Sequence, residues 1–249
     1  MSRYALIDGP AGLPRGDKRL LVTAFGAALA ALAAGVGFGA VTGFVRAGFL
    51  DFGLLAGYRS MSVHATLIFF YWLYLAQAGL LLVVATAHAP LGEGIAWRAV
   101  AWTGLGAMLA GLAASAYALW SGMPLLYDAP PEIAGAPSAA NAAFYLGYLA
   151  LAAGLFCVAA AAIVTAVRPL ARGEVAELPV ASFAACAWAG LLMVSAIAAA
   201  NAFLPAALWA LGLRAMRLAY ADPFTRRRVE IRAPFDQFVR AFGFDLPKL

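Results

Sequence analysis

Polar residues divide this chain into five long apolar runs, at about residues 20–45, 61–87, 96–120, 139–167 and 180–204. Each has at least the ~20 residues a helix needs to cross ~30 Å of hydrocarbon. None shows the period-2 alternation of a membrane barrel strand. The pattern predicts an all-α polytopic membrane helix bundle with five transmembrane helices. Glycine, proline and charge gather in the connections 46–60, 88–95, 121–138 and 168–179, as turn chemistry requires. Three segments result: an N-terminal tail at 1–19, the bundle at 20–212, and an Arg-rich tail at 213–249. In that last tail Phe235, Phe238, Val239 and Phe242 recur at i, i+3, i+4 and i+7, between Pro234 and Gly243. This spacing predicts an amphipathic helix. Its Phe face is expected to dock on a partner subunit, with the membrane surface as the other place it could lie.

Composition narrows the class further. Hydrophobic residues make up 65% and charged residues 12% of 249, and the mean hydropathy is +0.86. An ordinary soluble domain is about half apolar and a quarter charged, so soluble, disordered and disulfide-scaffold classes are excluded. Cys157 and Cys186 both fall inside apolar runs and predict no structural disulfide. The basic stretch before the first run resembles a signal peptide, but the run is too long for one, and it reads as a retained helix.

Charge then sets the expected orientation. Arg3, Arg15, Lys18, Arg19, Arg98, Arg168 and Arg172 fall on one side of a five-span chain, and Arg46 and Arg59 on the other. The bias toward positive charge inside predicts a cytoplasmic N-terminus in a plasma (inner) membrane. The C-terminal tail disagrees, since five spans put its arginines outside. The net charge of +5 bears on topology and lipid headgroups before nucleic acid, and no nucleic-acid partner is expected.

Chemistry has few places to sit. An ionisable group inside a membrane is costly and is a functional candidate by default. The first candidate is His64, about one turn inside the second span in Tyr58-Arg59-Ser60-Met61-Ser62-Val63-His64-Ala65-Thr66. A neutral imidazole is a common axial ligand of haem iron; the plainer reading is a buried histidine bonded to a backbone carbonyl. His88 lies 24 residues on, roughly 36 Å along a helix, so the two cannot hold one iron. His88 sits beside Pro90 and reads as interfacial. Asn201, Ser195, Gln77 and Thr66 are candidates for helix bridging. Glycines at 35, 37, 39 and 43, and at 104, 106 and 111, predict close helix packing. Trp97, Trp102, Trp120 and Tyr127 suit headgroup depth. The runs carry no carboxylate line for a proton path, and no phosphate loop, nucleophile elbow or HExxH is present.

Three stretches resemble subunit I of the haem–copper oxidase superfamily, B-type in character, over its first five helices. They are Tyr58-Arg59-Ser60-Met61-Ser62-Val63-His64-Ala65, then Leu126-Tyr127-Asp128-Ala129-Pro130-Pro131 followed by Phe144-Tyr145-Leu146-Gly147, then Phe203-Leu204-Pro205. They occur in the family's order over residues 18 to 208. The resemblance implies that His64 is one axial ligand of a low-spin haem, with Arg59 and Thr66 beside the cofactor. In that family the copper-site histidines, the active-site tyrosine and the second low-spin ligand follow helix V. This chain has no histidine there, so no copper is expected in it. The haem would be shared with a partner membrane chain carrying the remaining helices and histidines, and a subunit II-like protein or a cytochrome c would be the electron donor. The expected function is a membrane subunit of a respiratory haem–copper oxidase-like complex, resembling the N-terminal half of subunit I and not catalytically complete alone. The alternative is a haem-free membrane scaffold of a larger redox complex; a solute channel has too few polar lining residues.

Overall fold

The structure, a computed structural model, describes residues 12–90, 92–121, 139–211, 217–221 and 228–232. Helix α1 spans Arg15–Arg46. Pro14, which cannot extend the helix backward, offers its carbonyl to the N–H groups of Asp17 and Lys18 at 3.0 and 3.1 Å. The helix therefore starts before its apolar run does, and Arg15, Lys18 and Arg19 ride on its first turns rather than in a tail. Gly48 and Gly53, at φ +76° and +75°, turn the chain back; those angles are open to glycine and strained for other residues.

The second span is one rod of three parts: α2 at Gly53–Ala65, a π-helical segment at Thr66–Trp72, and α3 at Leu73–Ala85. Then come α4 at Arg98–Ser121, α5 at Ala139–Ala171 and α6 at Val180–Ala210. Among the described residues, five helical stretches are long and apolar enough to cross a membrane: Arg15–Arg46, Ala56–Ala85, Arg98–Ser121, Ala139–Ala171 and Val180–Leu208. The all-α, five-span bundle expected from the sequence is what the structure shows.

Helix α5 lies between α4 and α6 and also meets α3, while α1 packs chiefly along the second span. The closest pairing joins α4 to α5. A methyl group added at Gly104 would lie 2.7 Å from the carbonyl of Gly154, and one at Gly111 would lie 2.5 Å from that of Gly147. These backbones touch because all four positions lack a side chain, which is how helices associate in lipid without a hydrophobic drive between them. The glycines of α1 divide into two sets. Gly35 and Gly39, one turn apart, face the second span, whereas Gly37 and Gly43 have nothing within 4 Å. Gly106 on α4 is likewise open.

The outward faces are apolar, as hydrocarbon demands: Val22, Leu29 and Val36 on α1 and Phe183, Leu191 and Val194 on α6 are all more than half exposed. Beyond α6 the chain departs from expectation. Strands β1 (Arg217–Ala221) and β2 (Arg228–Arg232) pair antiparallel, with Ala219 opposite Glu230. The amphipathic helix expected around Phe235–Phe242 lies outside the described residues.

Candidate functional site

In a five-span chain, the start of the second span, the start of the fourth and the end of the fifth fall at the same end of the bundle. That end collects the motifs singled out from the sequence. His64 sits on α2 against α1. Its Nδ1 lies 2.7 Å from the Gly35 carbonyl, and its ring covers Gly39, where a methyl group would come within 2.7 Å of Nδ1. A carbonyl only accepts, so Nδ1 carries the proton in neutral imidazole and Nε2 keeps its lone pair. Nε2 has no hydrogen-bond partner among the described residues. Gly39 thus seats the histidine ring and Gly35 supplies its acceptor, while the space left at Gly35 itself is taken by Ile68 and Leu67.

Thr66 does not join it. Two residues along a helix point to nearly opposite sides, and Thr66 is buried with its hydroxyl in long contact, 3.5 Å, with the Tyr148 hydroxyl on α5. Arg59 is half-buried at the first turns of α2, and its Nε is enclosed without a hydrogen bond. Its neighbour in charge, Arg46, donates from Nη2 to the Met61 sulfur at 3.1 Å. The structure therefore places His64 at the α1 interface and Thr66 in the core behind it.

That core is an aromatic and hydroxyl cluster. The Tyr148 ring stacks on Phe203 at 4.9 Å and meets Phe70 edge-on at 4.8 Å, with Phe144 4.9 Å away. Rings in such arrangements attract through their quadrupoles. The π segment organises this packing. Its i, i+5 hydrogen bonding helps to bring Thr66 and Tyr71 to the inward side together. Tyr71 is fully buried, shares a 2.8 Å hydrogen bond with Ser115 on α4, and donates weakly to the Gly147 carbonyl at 3.4 Å. Phe144 to Gly147 and Phe203, distant in sequence, thus meet around Tyr148. The Leu126–Pro131 stretch and Tyr127 lie outside the described residues.

The other bridging candidates are simpler. Gln77 accepts from the Trp188 indole at 3.4 Å. Ser195 bonds the carbonyl of Leu191 on its own helix, and Asn201 is exposed; neither is seen to bridge helices among the described residues. His88 is half-buried in the turn after α3.

The opposite end carries a polar latch that the sequence did not reveal. Asp17, fully buried at the start of α1, is ion-paired with Arg98 of α4 and accepts the Ile95 N–H at 2.9 Å. Arg168 donates to the Gly94 carbonyl at 2.7 Å, and Thr165 accepts the Ala96 N–H at 3.1 Å. Arg172 reaches Glu93 at 2.7 Å; the carboxylate's hydrogen bond and charge raise the guanidinium pKa above its ordinary value. Together these tie the α3–α4 connection and the start of α4 to α1 and to the end of α5. A lone acid among Arg15, Lys18 and Arg19 was the available signal for Asp17.

Among the described residues no group of three or more His, Cys, Asp or Glu side chains could hold a metal ion. The fold and site define a five-span membrane helix bundle with one imidazole nitrogen presented at a helix interface. No family model, curated protein or solved structure matches the chain.

Proposed function

We propose that this chain is a membrane subunit of a respiratory haem–copper oxidase-like complex, and that His64 supplies one axial ligand to a low-spin haem. The observation that carries this is the bond from His64 Nδ1 to the Gly35 carbonyl. A metal-ligating histidine commonly donates its other ring N–H to a carbonyl, which fixes the tautomer and aims the free nitrogen. The donor set fits a haem axial position: Nε2 has its lone pair, and the ring is only partly buried, on a face another chain can complete. When bound, the haem would supply electron transfer. His64 holds it, the Gly35 carbonyl orients the imidazole, and Gly39 leaves room for the ring. Arg59, on the same helix one and a half turns away, brings positive charge to that end. Thr66 supports the core behind His64.

With two histidines in these 249 residues, the second ligand and any copper site belong to residues outside them. We assign those to a partner membrane chain, with a subunit II-like protein or a cytochrome c as electron donor. The charge bias places the N-terminal end, with its latch, in the cytoplasm and His64 toward the outer face of a plasma membrane. One observation favours a second reading, a haem-free scaffold: the same Nδ1 bond, with the ring seated on Gly39, also works as a helix clamp. Co-purification with partner chains and a reduced-minus-oxidised spectrum separate the two. A low-spin haem signal that disappears in His64→Ala is expected; a signal that persists in the variant, or its absence from the native complex, refutes haem ligation.

A further inference from the structure

Helix α6 is the least covered of the five spans. It packs on α5 and α3, and Ala189, Leu192 and Ala196 are buried on that side. On the opposite side runs a seam of Ala187, Gly190, Val194, Ile197, Asn201 and Leu204, spaced alternately three and four residues apart. That is the repeat by which one helix packs along the length of another. Every member is exposed except Gly190, which is partly so, and a methyl group added at Gly190 would meet nothing within 4 Å. Small residues at Ala187 and Gly190 let a second helix come close. Asn201 breaks the chemistry of the seam. Val194 is the middle of the Val180–Leu208 span, and Asn201 lies roughly 10 Å from it along the helix axis. That is inside the ~15 Å half-thickness of the hydrocarbon. No hydrogen bond joins its side chain to a described residue. Among the described residues of the five spans, it is the one exposed amide, and no carboxylate is exposed there.

An amide in hydrocarbon needs a partner, since lipid offers its N–H groups no acceptor and its carbonyl no donor. The residue that matches it is its own counterpart. Copies of one chain share an orientation in the membrane, so a two-fold axis along the bilayer normal sets α6 parallel to α6 and each seam residue opposite itself. An amide both donates and accepts, so two Asn201 side chains facing across that axis satisfy each other. We propose that this seam is the interface of a parallel homodimer, closed by an Asn201–Asn201 amide pair. The alternating spacing gives the shallow left-handed crossing of such pairs, and a single asparagine in the seam fixes their register. The proposal rests on the five-span architecture and is independent of haem: His64 lies against α1, on other helices.

Energy transfer between full-length copies carrying different N-terminal fluorophores, diluted into phosphatidylcholine vesicles, tests this. Transfer should fall with dilution as a monomer–dimer equilibrium. Two amide hydrogen bonds of the strength typical between membrane helices correspond to roughly tenfold in the dimer constant. Asn201→Val should weaken the dimer by about that factor, and Asn201→Gln, which keeps an amide, should retain most of the affinity. Ser195→Val, exposed on the same helix but about a third of a turn from the seam, should change nothing. Folding within the chain is not at stake at these exposed positions. Copper-phenanthroline oxidation in native membranes, in a background lacking Cys157 and Cys186, reads the geometry. Leu204→Cys should give a disulfide-linked dimer of this chain and Ser195→Cys should not. A chain that stays monomeric at every protein-to-lipid ratio overturns the proposal, as does an Asn201→Val variant that dimerises like the native protein. So does a Leu204→Cys product containing a different protein, which would mark the seam as the site of a heterologous partner.

Discussion

Adding one methyl group at Gly111 tests the contact on which the bundle's tightest helix pair depends. The Cβ of Gly111→Ala would sit 2.5 Å from the Gly147 carbonyl oxygen and 3.2 Å from the Leu151 nitrogen. Both are backbone atoms, so no side chain can swing aside, and α4 must move from α5 by roughly 1 Å to reach ordinary contact. That separation also loosens the neighbouring contacts, including the Tyr71–Ser115 hydrogen bond one turn further along α4. Overpacking of this kind costs about 1–3 kcal/mol; the gain in helix propensity on replacing glycine offsets up to ~1 kcal/mol of it. A net loss of about 1–2 kcal/mol is expected. Gly106→Ala, on the same helix with nothing within 4 Å, is the matched control and should be neutral or slightly stabilising. Unfolding of both variants by an SDS gradient in mixed micelles, followed by far-ultraviolet circular dichroism, gives the comparison. If Gly111→Ala and Gly106→Ala unfold together, the close approach of α4 and α5 is refuted.

The buried carboxylate at Asp17 should matter in the same assay. Asp17→Ala leaves the Ile95 N–H and the partly solvated Arg98 without their acceptor, a loss of about 2 kcal/mol. Faster proteolysis in the 86–97 connection should accompany it, and an unchanged cleavage rate would show that the latch does not hold that connection. Tyr71→Phe deletes a single buried hydroxyl and its bond to Ser115, with an expected loss of about 1 kcal/mol; full native stability would count against that bond. Orientation is read by single cysteines at Asp51 and Glu174, both exposed, in a background lacking Cys157 and Cys186. Outside labelling of the Asp51 position with protection of the Glu174 position is expected, and the reverse pattern means that the N-terminus is outside.

What the sequence made legible was whatever the bilayer itself constrains. Helix number and span limits follow from hydrophobic length, because lipid leaves a backbone no other way to satisfy its polar groups. The seat of His64 was half legible: a glycine-rich first helix and a lone intramembrane histidine were both visible. Their pairing through Gly35 and Gly39, and not Gly37, needed the helix phase. The latch was hidden because Asp17 lies among basic residues that read as a solvated tail, while Pro14 in fact starts the helix there. The hairpin was missed for a different reason. Val229 and Ile231 alternate with Arg228, Glu230 and Arg232, a period-2 pattern with β-branched residues, and Asp222-Pro223 is a turn signal. The arginine count drew attention away from that alternation. The π segment at Thr66–Trp72 has no signature in hydropathy, since all seven residues belong to one unbroken run.

Gly39 offers the sharpest separation between a ligand and a clamp at His64. A methyl group there would come 2.7 Å from Nδ1 and 2.8 Å from Cε1 of the ring, so Gly39→Ala must push the imidazole away from α1 and lengthen its bond to the Gly35 carbonyl. If His64 only joins α1 to α2, the cost is that of one weakened hydrogen bond plus local repacking, about 1–2 kcal/mol. His64→Ala and Gly39→Ala should then behave alike in unfolding, and no cofactor property should change. If His64 is an axial ligand, displacement of the ring changes the direction of Nε2 and weakens the bond to the carbonyl that holds its tautomer. Loss of such an orienting partner typically weakens metal binding by about 10–100-fold. Gly39→Ala would then lower haem occupancy of the purified complex while its five helices stay folded by circular dichroism. Full occupancy with an unshifted spectrum in that variant would remove the Gly35–His64 bond from any role in holding a cofactor.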